Sequence, residues 1–435
     1  MRRVFALAIP ISLQSLLMAM LSLTDQLMVG QLGSSAVAAT GIGAQLGMLV
    51  TVVVTTLGTA FSAYAAQYHA TGRTEQFKGT VLLAAAAALT LALPVALVGS
   101  LNPQAAMSPF THDAQLIDVS SPFIRCLTLS LLPAALTIVC TAALRSMGHV
   151  RLPLYASLAA IAVNLGLDWV LIFGQFGAPR LGLLGAGIGT LSARLLELGL
   201  VIASLVRLVG GHAGWTLLPR RTSCAIAGTA VPQVATELLW VLSENTYTGV
   251  YGRIGTQSLA AMALTYPLQS MIFGLTGGLA AAAIPILGEH LGHQRRDAAL
   301  ADARLLLRMG MGGAILIGAG LFALAPHYVG LYSVDGATAM QATAVLRILA
   351  FYLVVKVSNQ VISGGILPAG GDSRFQLLSE SLATWLVGVP LALASAFLLH
   401  LPLPWVYGLL SLEEVARFVI VRHRVGSGKW MRISA

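Results

Sequence analysis

The chain has 435 residues, 57% of them hydrophobic and 9% charged, with a mean hydropathy of +0.83. A soluble domain carries roughly 25% charged residues, so a water-soluble globule is excluded and an integral membrane protein is expected. The net charge of +9 does not point to nucleic acid, because the basic residues are scattered at helix ends with no aromatic platform between them.

Windows of about 20 apolar residues, the length that crosses a bilayer as helix, fall near 4-28, 38-66, 79-101, 119-143, 152-174 and 181-206 in the first half. The second half gives 224-248, 258-287, 302-325, 339-365, 374-398 and 402-421. The opening MRR and its apolar run resemble a secretory signal, but no A-x-A site follows, so the run is kept as the first span. Three cysteines, Cys126, Cys140 and Cys224, form no C-x-x-C pair, which argues against a disulfide framework or a zinc site.

The halves repeat. A shift of 222 carries Pro10 to Pro232, Gly30 to Gly252, Gly33 to Gly255, Ala38 to Ala260, Arg125 to Arg347 and Gly148 to Gly370. Six spans per half return the chain to its starting side, so the two lobes are expected to run in the same sense, related by a pseudo-twofold axis along the membrane normal. The expected fold is all-α and integral to the membrane, with twelve transmembrane helices in two six-helix lobes. An N-lobe covers 1-208, a cytoplasmic linker rich in Gly, Pro and Arg covers 209-222, and a C-lobe covers 223-435. Basic residues crowd one side, from Arg2, Arg3, Arg73 and Lys78 through Arg145, Arg220 and Arg221 to Arg417, Arg422 and Lys429, against Arg180 and Arg253 on the other. That bias puts both termini in the cytoplasm.

No G-x-x-x-x-G-K-[ST] motif is present, and GAGIG at 185-189 lies inside a span, where close helix packing explains it better than phosphate. What remains for chemistry is a set of buried carboxylates. An ionised acid at a helix centre costs roughly 2.5 to 3.5 kcal/mol on insertion scales, so it needs a partner, a wet cavity or a proton. Asp25 is the clearest case, with Gln14 about three turns earlier on the same face of the first helix. Asn164 and Asp168 share a face of the fifth helix, and Thr190 in the sixth completes a polar cluster with them. Arg194 and Glu197, three apart, are expected to pair. In the second half Glu237 and Glu244 share a face, while Lys356, Asn359 and Ser363 form a stripe on the tenth helix, where the lysine would neutralise one of those two acids. Glu380 lies nearer the cytoplasmic end, where a solvated head group accounts for it.

With those residues in place, the chain resembles the MATE family, the multidrug and toxic compound extrusion transporters. The resemblance rests on P-x14-D-x4-G-x2-G at Pro10, Asp25, Gly30 and Gly33, on LRSMGHVRLP at 144-153, on the N-x3-D pair Asn164 and Asp168, and on YGRIGTQSLAA at 251-261. It implies an antiporter, not an enzyme, in which proton or sodium entry drives efflux of cationic amphipathic compounds from a cavity between the lobes. It implies no cofactor beyond the coupling ion, and it makes Asp25, Asn164, Asp168 and Thr190 the coupling residues. Gln14, Glu237, Glu244, Lys356 and Asn359 are assigned to a substrate cavity or a second-lobe ion site. Many members carry a tenth-helix acid where this chain has Asn359, and their seventh-helix acid aligns near Trp240, so a second-lobe sodium site is not favoured. The expected mechanism has proton and cationic drug excluding one another at Asp25. A lipid-linked oligosaccharide flippase of the same superfamily is the alternative, and it would show Arg125, Arg347 and Lys356 clustered in a basic cavity. The expected setting is the inner or plasma membrane, with small organic cations and membrane lipid as partners, no nucleic acid, and the chain as a monomer.

Overall fold

The computed structural model describes residues 2–109, 114–210, 215–332 and 334–432. Twelve helical runs carry the described residues. The first six are α1 (Arg2–Gly30), α2 (Ser34–Ala70), α3 (Thr74–Leu101), α4 (Ala114–Ser146), α5 (Arg151–Phe173) and α6 (Leu183–Val209). The second six are α7 (Arg220–Ile254), α8 (Thr256–Gly292), α9 (Arg296–Val329), α10 (Gly336–Ala369), α11 (Ser373–Leu398) and α12, made of Leu403–Leu410 and Leu412–Gly426. Among the described residues there is no strand, and ten helices are long and apolar enough to cross a membrane.

The repeat is written into the helix boundaries. Helices α8, α9, α10 and α11 each begin 222 residues after α2, α3, α4 and α5. The turns repeat as well: Gly33 and Gly255 both have positive φ, and the left-handed residue at Gly72 (φ 72°) recurs as Gln294 (φ 57°). Glycine is the residue that tolerates such a φ at least cost, so the turn geometry is kept at position 294 after the glycine is gone.

The chain divides into two compact units. The N unit spans Leu13–Ile226, and the C unit holds Ala227–Ala435 together with the opening turns of α1 up to Ser12. The chain thus crosses between units twice, inside α1 after Ser12 and near the start of α7 after Ile226, just past the expected linker. The hydroxyl of Ser12 donates to the carbonyl of Leu275, and a Cβ at Gly278 would overlap Ser12, so close backbone approach ties these turns to α8.

In the N unit α4 packs against α2, α3 and α6, with Val29, Ala39, Met107, Phe123, Ile124 and Ile172 forming part of the core. The glycines of GAGIG each abut a neighbour: Gly185 lies against the backbone of Leu171, Gly187 against Cys126, and Gly189 against Asp168. In the C unit the counterpart helix α10 packs against α8, α9 and α12. Here π-helical turns interrupt the helices at Ile362–Ile366, Thr384–Gly388 and Ala394–Leu398. Such turns place side chains off the 3.6-residue register, often at functional sites.

Two loop segments are anchored. Lys78, buried at the start of α3, has its ammonium 5.9 Å from the centre of the Trp215 ring, which pins the end of the linker to the N unit. At the other end of the chain Trp430 is fully buried against Gly370, and Arg424 and Arg432 close on the buried carboxylate of Asp372 at 2.6 and 2.9 Å.

Candidate functional site

Among the described residues each unit contains a pocket lined by carboxylates. In the N unit a pocket of about 50 Å³ is lined by Asp25 from α1, Asn164 from α5, and Thr190, Arg194 and Glu197 from α6. Asp168 lies one turn after Asn164, which donates to it at 3.3 Å, and the charge of Asp25 reaches it. One carboxylate oxygen of Asp25 and one of Asp168 are buried with no hydrogen-bond partner among the described residues. Asp168 reaches this place because position 189 is glycine; a Cβ there would overlap its carboxylate oxygen. The four coupling residues expected from sequence therefore lie together.

Arg194 and Glu197 pair at 2.9 Å. The other oxygen of Glu197 accepts from Ser157 at 2.6 Å, Ser157 accepts from the Gln14 amide at 2.6 Å, and Gln14 accepts from Arg145 at 2.6 Å. Every dipole in this row points the same way, so Glu197 is compensated from two sides, by Arg194 directly and by Arg145 through neutral groups. Gln14 works in this row and does not line either polar cavity. Ser157 was not singled out in the sequence, because a lone serine in a span carries no signal there.

A drug-sized ligand needs a cavity of roughly 300 to 1,000 Å³, about ten times the space beside Asp25. That space suits a proton, a few waters or a small ion.

The C-unit centre is of the larger size. A cavity of about 520 Å³ is lined by acids from three helices, Glu237 and Glu244 of α7, Glu380 of α11, and Glu413 and Glu414 of α12, with Lys356 of α10 and Arg417 of α12 as its cations. Trp240, Tyr251, Tyr266, Phe273 and Tyr407 supply aromatic wall. Lys356 makes its contact ion pair with neither Glu237 nor Glu244, although its charge reaches Glu244. Its ammonium lies 3.5 Å from Glu414, which Arg417 approaches at 3.8 Å and the Asn359 amide reaches at 2.7 Å. The tenth helix lacks the acid expected beside position 359, and α12 supplies a carboxylate there instead, already met by two cations. Glu413 accepts from the Tyr247 hydroxyl at 2.7 Å, and a Cβ at Gly388 would overlap both groups.

Arg417, counted among the cytoplasmic loop charges, is a buried helical residue hydrogen-bonded to Thr384. Glu380, expected in solvent, lines the cavity. Glu413 and Glu414 drew no attention in the sequence because an apolar window averages charges away; the available signal was E-E-x-x-R inside a 20-residue span. Arg125 and Arg347 are on exposed helix faces, Arg347 over the Phe322 ring, and neither lines this cavity.

A family model described as MatE matches residues 10–170 and 232–394, one segment in each repeat. A probable multidrug resistance protein NorM of Listeria monocytogenes is 25% identical over 422 residues, 94% of this chain and 91% of that protein. A probable multidrug resistance protein NorM of Pseudomonas aeruginosa is 29% identical over 418 residues, covering 91% and 83%. Among solved structures, the Vibrio cholerae MATE transporter VcmN in the bent form matches with a TM-score of 0.88 at 20% identity, covering 99% of this chain and 98% of that one. A MOP superfamily transporter from Pyrococcus furiosus matches with a TM-score of 0.83 at 18% identity, covering 98% and 96%. The structural likenesses show the fold, and the family model covers most of both halves with it. The chain therefore belongs to the MatE family of multi-pass membrane transporters and is not an enzyme.

Proposed function

We propose that the chain exports amphipathic organic cations in exchange for inward protons, from an inner or plasma membrane in which both termini face the cytoplasm. The observation that carries this reading is the pair of carboxylates, Asp25 and Asp168, beside a pocket of about 50 Å³ with one buried oxygen of each unpartnered. Two such groups bind protons readily, and the space excludes a drug. The organic cation belongs in the acid-rich, aromatic C-unit cavity of about 520 Å³, where carboxylates and ring faces both attract positive charge. Coupling between the two is then a matter of conformation, with protonation at Asp25 and guest binding favouring different states.

Sodium is the other candidate for the coupling ion, and the flippase reading is the weaker alternative. An anionic pyrophosphate calls for a basic cavity, whereas five glutamates here face Lys356 and Arg417. The test is dye efflux from proteoliposomes with pH and sodium gradients imposed separately. Export follows the pH gradient alone, and Asp25→Asn, which removes the ionisable group at nearly constant shape, reduces it to background while the purified protein remains folded. Efflux unchanged in that variant removes Asp25 from coupling, and efflux driven by sodium alone replaces the proton.

A further inference from the structure

We propose that the C-unit cavity is shaped for an elongated dication, a molecule with two positive centres about 10 Å apart joined by a flat or methylene segment. This deepens the exporter reading above and rests on it. Glu237 and Glu244 are seven residues apart on α7, which places them on one face with about 10 Å between them along the axis. Trp240 stands between them on that face and lines the same cavity, with Tyr266 and Phe273 contributed by α8.

These two carboxylates are the ones without a contact partner; the charge of Lys356 reaches Glu244 and that of Arg417 reaches both from beyond contact distance. Glu414 is met by Lys356, Arg417 and Asn359, Glu413 by the Tyr247 hydroxyl, and Glu380 accepts from Gln376 at 3.4 Å. Among the described residues neither Glu237 nor Glu244 has a side-chain hydrogen bond or a contact ion pair. A separate observation points to a guest. Ser363 and Tyr407, 6% and 4% exposed, line the cavity with hydroxyls that have no hydrogen-bond partner, and the Asn359 oxygen is likewise unpartnered at 2% exposure. Buried polar atoms left in that state are uncommon in native proteins, and these oxygens accept from N–H donors. Among the described residues no three His, Cys, Asp or Glu groups converge to hold a metal. Separated charges over an aromatic floor match two ammonium or amidinium ends on one apolar body.

The test measures binding of α,ω-diaminoalkanes from propane to dodecane to the purified full-length protein by calorimetry, beside monoamines of equal carbon number. Affinity peaks where the charge separation matches the glutamate spacing, on the order of a hundredfold above the matching monoamine. Glu237→Gln and Glu244→Gln each bring the diamine to the affinity of the monoamine. Glu244→Asp, with the same charge on a shorter arm, moves the optimum to a longer diamine. That shift is not expected of a merely destabilised protein. Affinity that climbs steadily with chain length, or a diamine that binds no tighter than its monoamine, overturns the dication site. If a monovalent dye is still exported down a pH gradient in that event, the inference falls and the exporter reading stands. If the diamine optimum is present but no cation is exported, the exporter reading falls and the site stands.

Discussion

Asp168 and Gly189 show how much of the N-unit centre depends on one missing methyl. Asp168 is 1% exposed, and its carboxylate occupies the space a Cβ at position 189 would fill. Gly189→Ala therefore forces the acid out of its seat beside Asn164, with an overpacking cost of about 1–3 kcal/mol. Gly199, on the same helix, has open space around it. Exchange is expected to collapse in Gly189→Ala and to persist in Gly199→Ala, measured as pH-driven dye efflux at matched protein levels. Ser157 carries a related expectation. Ser157→Ala removes a hydroxyl that serves Gln14 and Glu197 at once, leaving two buried groups short of a partner at about 1–3 kcal/mol. A lowered melting temperature would register that loss. Asp25 was legible in the sequence because a lone acid in an apolar run announces itself. Glu413 and Glu414 were not, because their role depends on which residues meet them from α7 and α10.

At the scale of elements, two helix ends make measurable claims. Asp335 caps the start of α10, where its carboxylate accepts from the Thr338 hydroxyl at 2.6 Å and the Thr338 amide at 3.0 Å. Those hydrogen bonds hold its pKa below the ordinary aspartate value. A group depressed on folding contributes its stability above the unfolded pKa and loses it as pH falls through the folded one. Hydrogen exchange in the first turn of α10 should thus stay slow at neutral pH and quicken only in acid below the usual aspartate range, whereas Asp335→Ala quickens it at every pH. Asp372 has the opposite setting, fully buried between Arg424 and Arg432. Asp372→Ala strands Arg424 and loosens the chain end that buries Trp430, at a cost on the order of 3 kcal/mol. Limited proteolysis near the C-terminus reports it. The capping aspartate is visible in sequence as D-G-A-T before an apolar run; the Asp372 clasp joins positions some fifty residues apart and is not.

For the whole molecule, duplication fixed the scaffold and left the chemistry free to diverge. The offset that superposes helix starts carries Asp25 onto Tyr247, Asn164 onto Leu386, Asp168 onto Pro390 and Thr190 onto Leu412. One unit keeps a small polar pocket, while the other has a large acid-lined cavity to which the π-helical turn Ile362–Ile366 contributes Ser363 and Gly364. The proposed exchange of protons for organic cations has a defined electrical signature. One proton in for one monovalent cation out moves no net charge, so only the pH gradient drives it, by about 1.36 kcal/mol per unit. One proton for a dication moves a positive charge outward, which an inside-negative potential opposes by about 2.3 kcal/mol per 100 mV. Potential clamped with potassium and valinomycin should leave monoamine export unchanged and slow diamine export; acceleration of monoamine export by an inside-negative potential would mean that more than one proton enters.

The sequence by itself determined the membrane setting, the helical spans, the 222-residue repeat and the acids that had to be accounted for. These follow from local composition and from spacing along one helix, which a linear chain displays directly. Only the tertiary structure decided that Lys356 makes its contact ion pair with Glu414, that Arg417 is buried within the C unit, and that Asp25 lines a small pocket of the N unit. Those outcomes depend on how each helix is rotated and how far it slides against its neighbours. A charge in low dielectric takes whichever opposite charge that packing brings within a few ångströms.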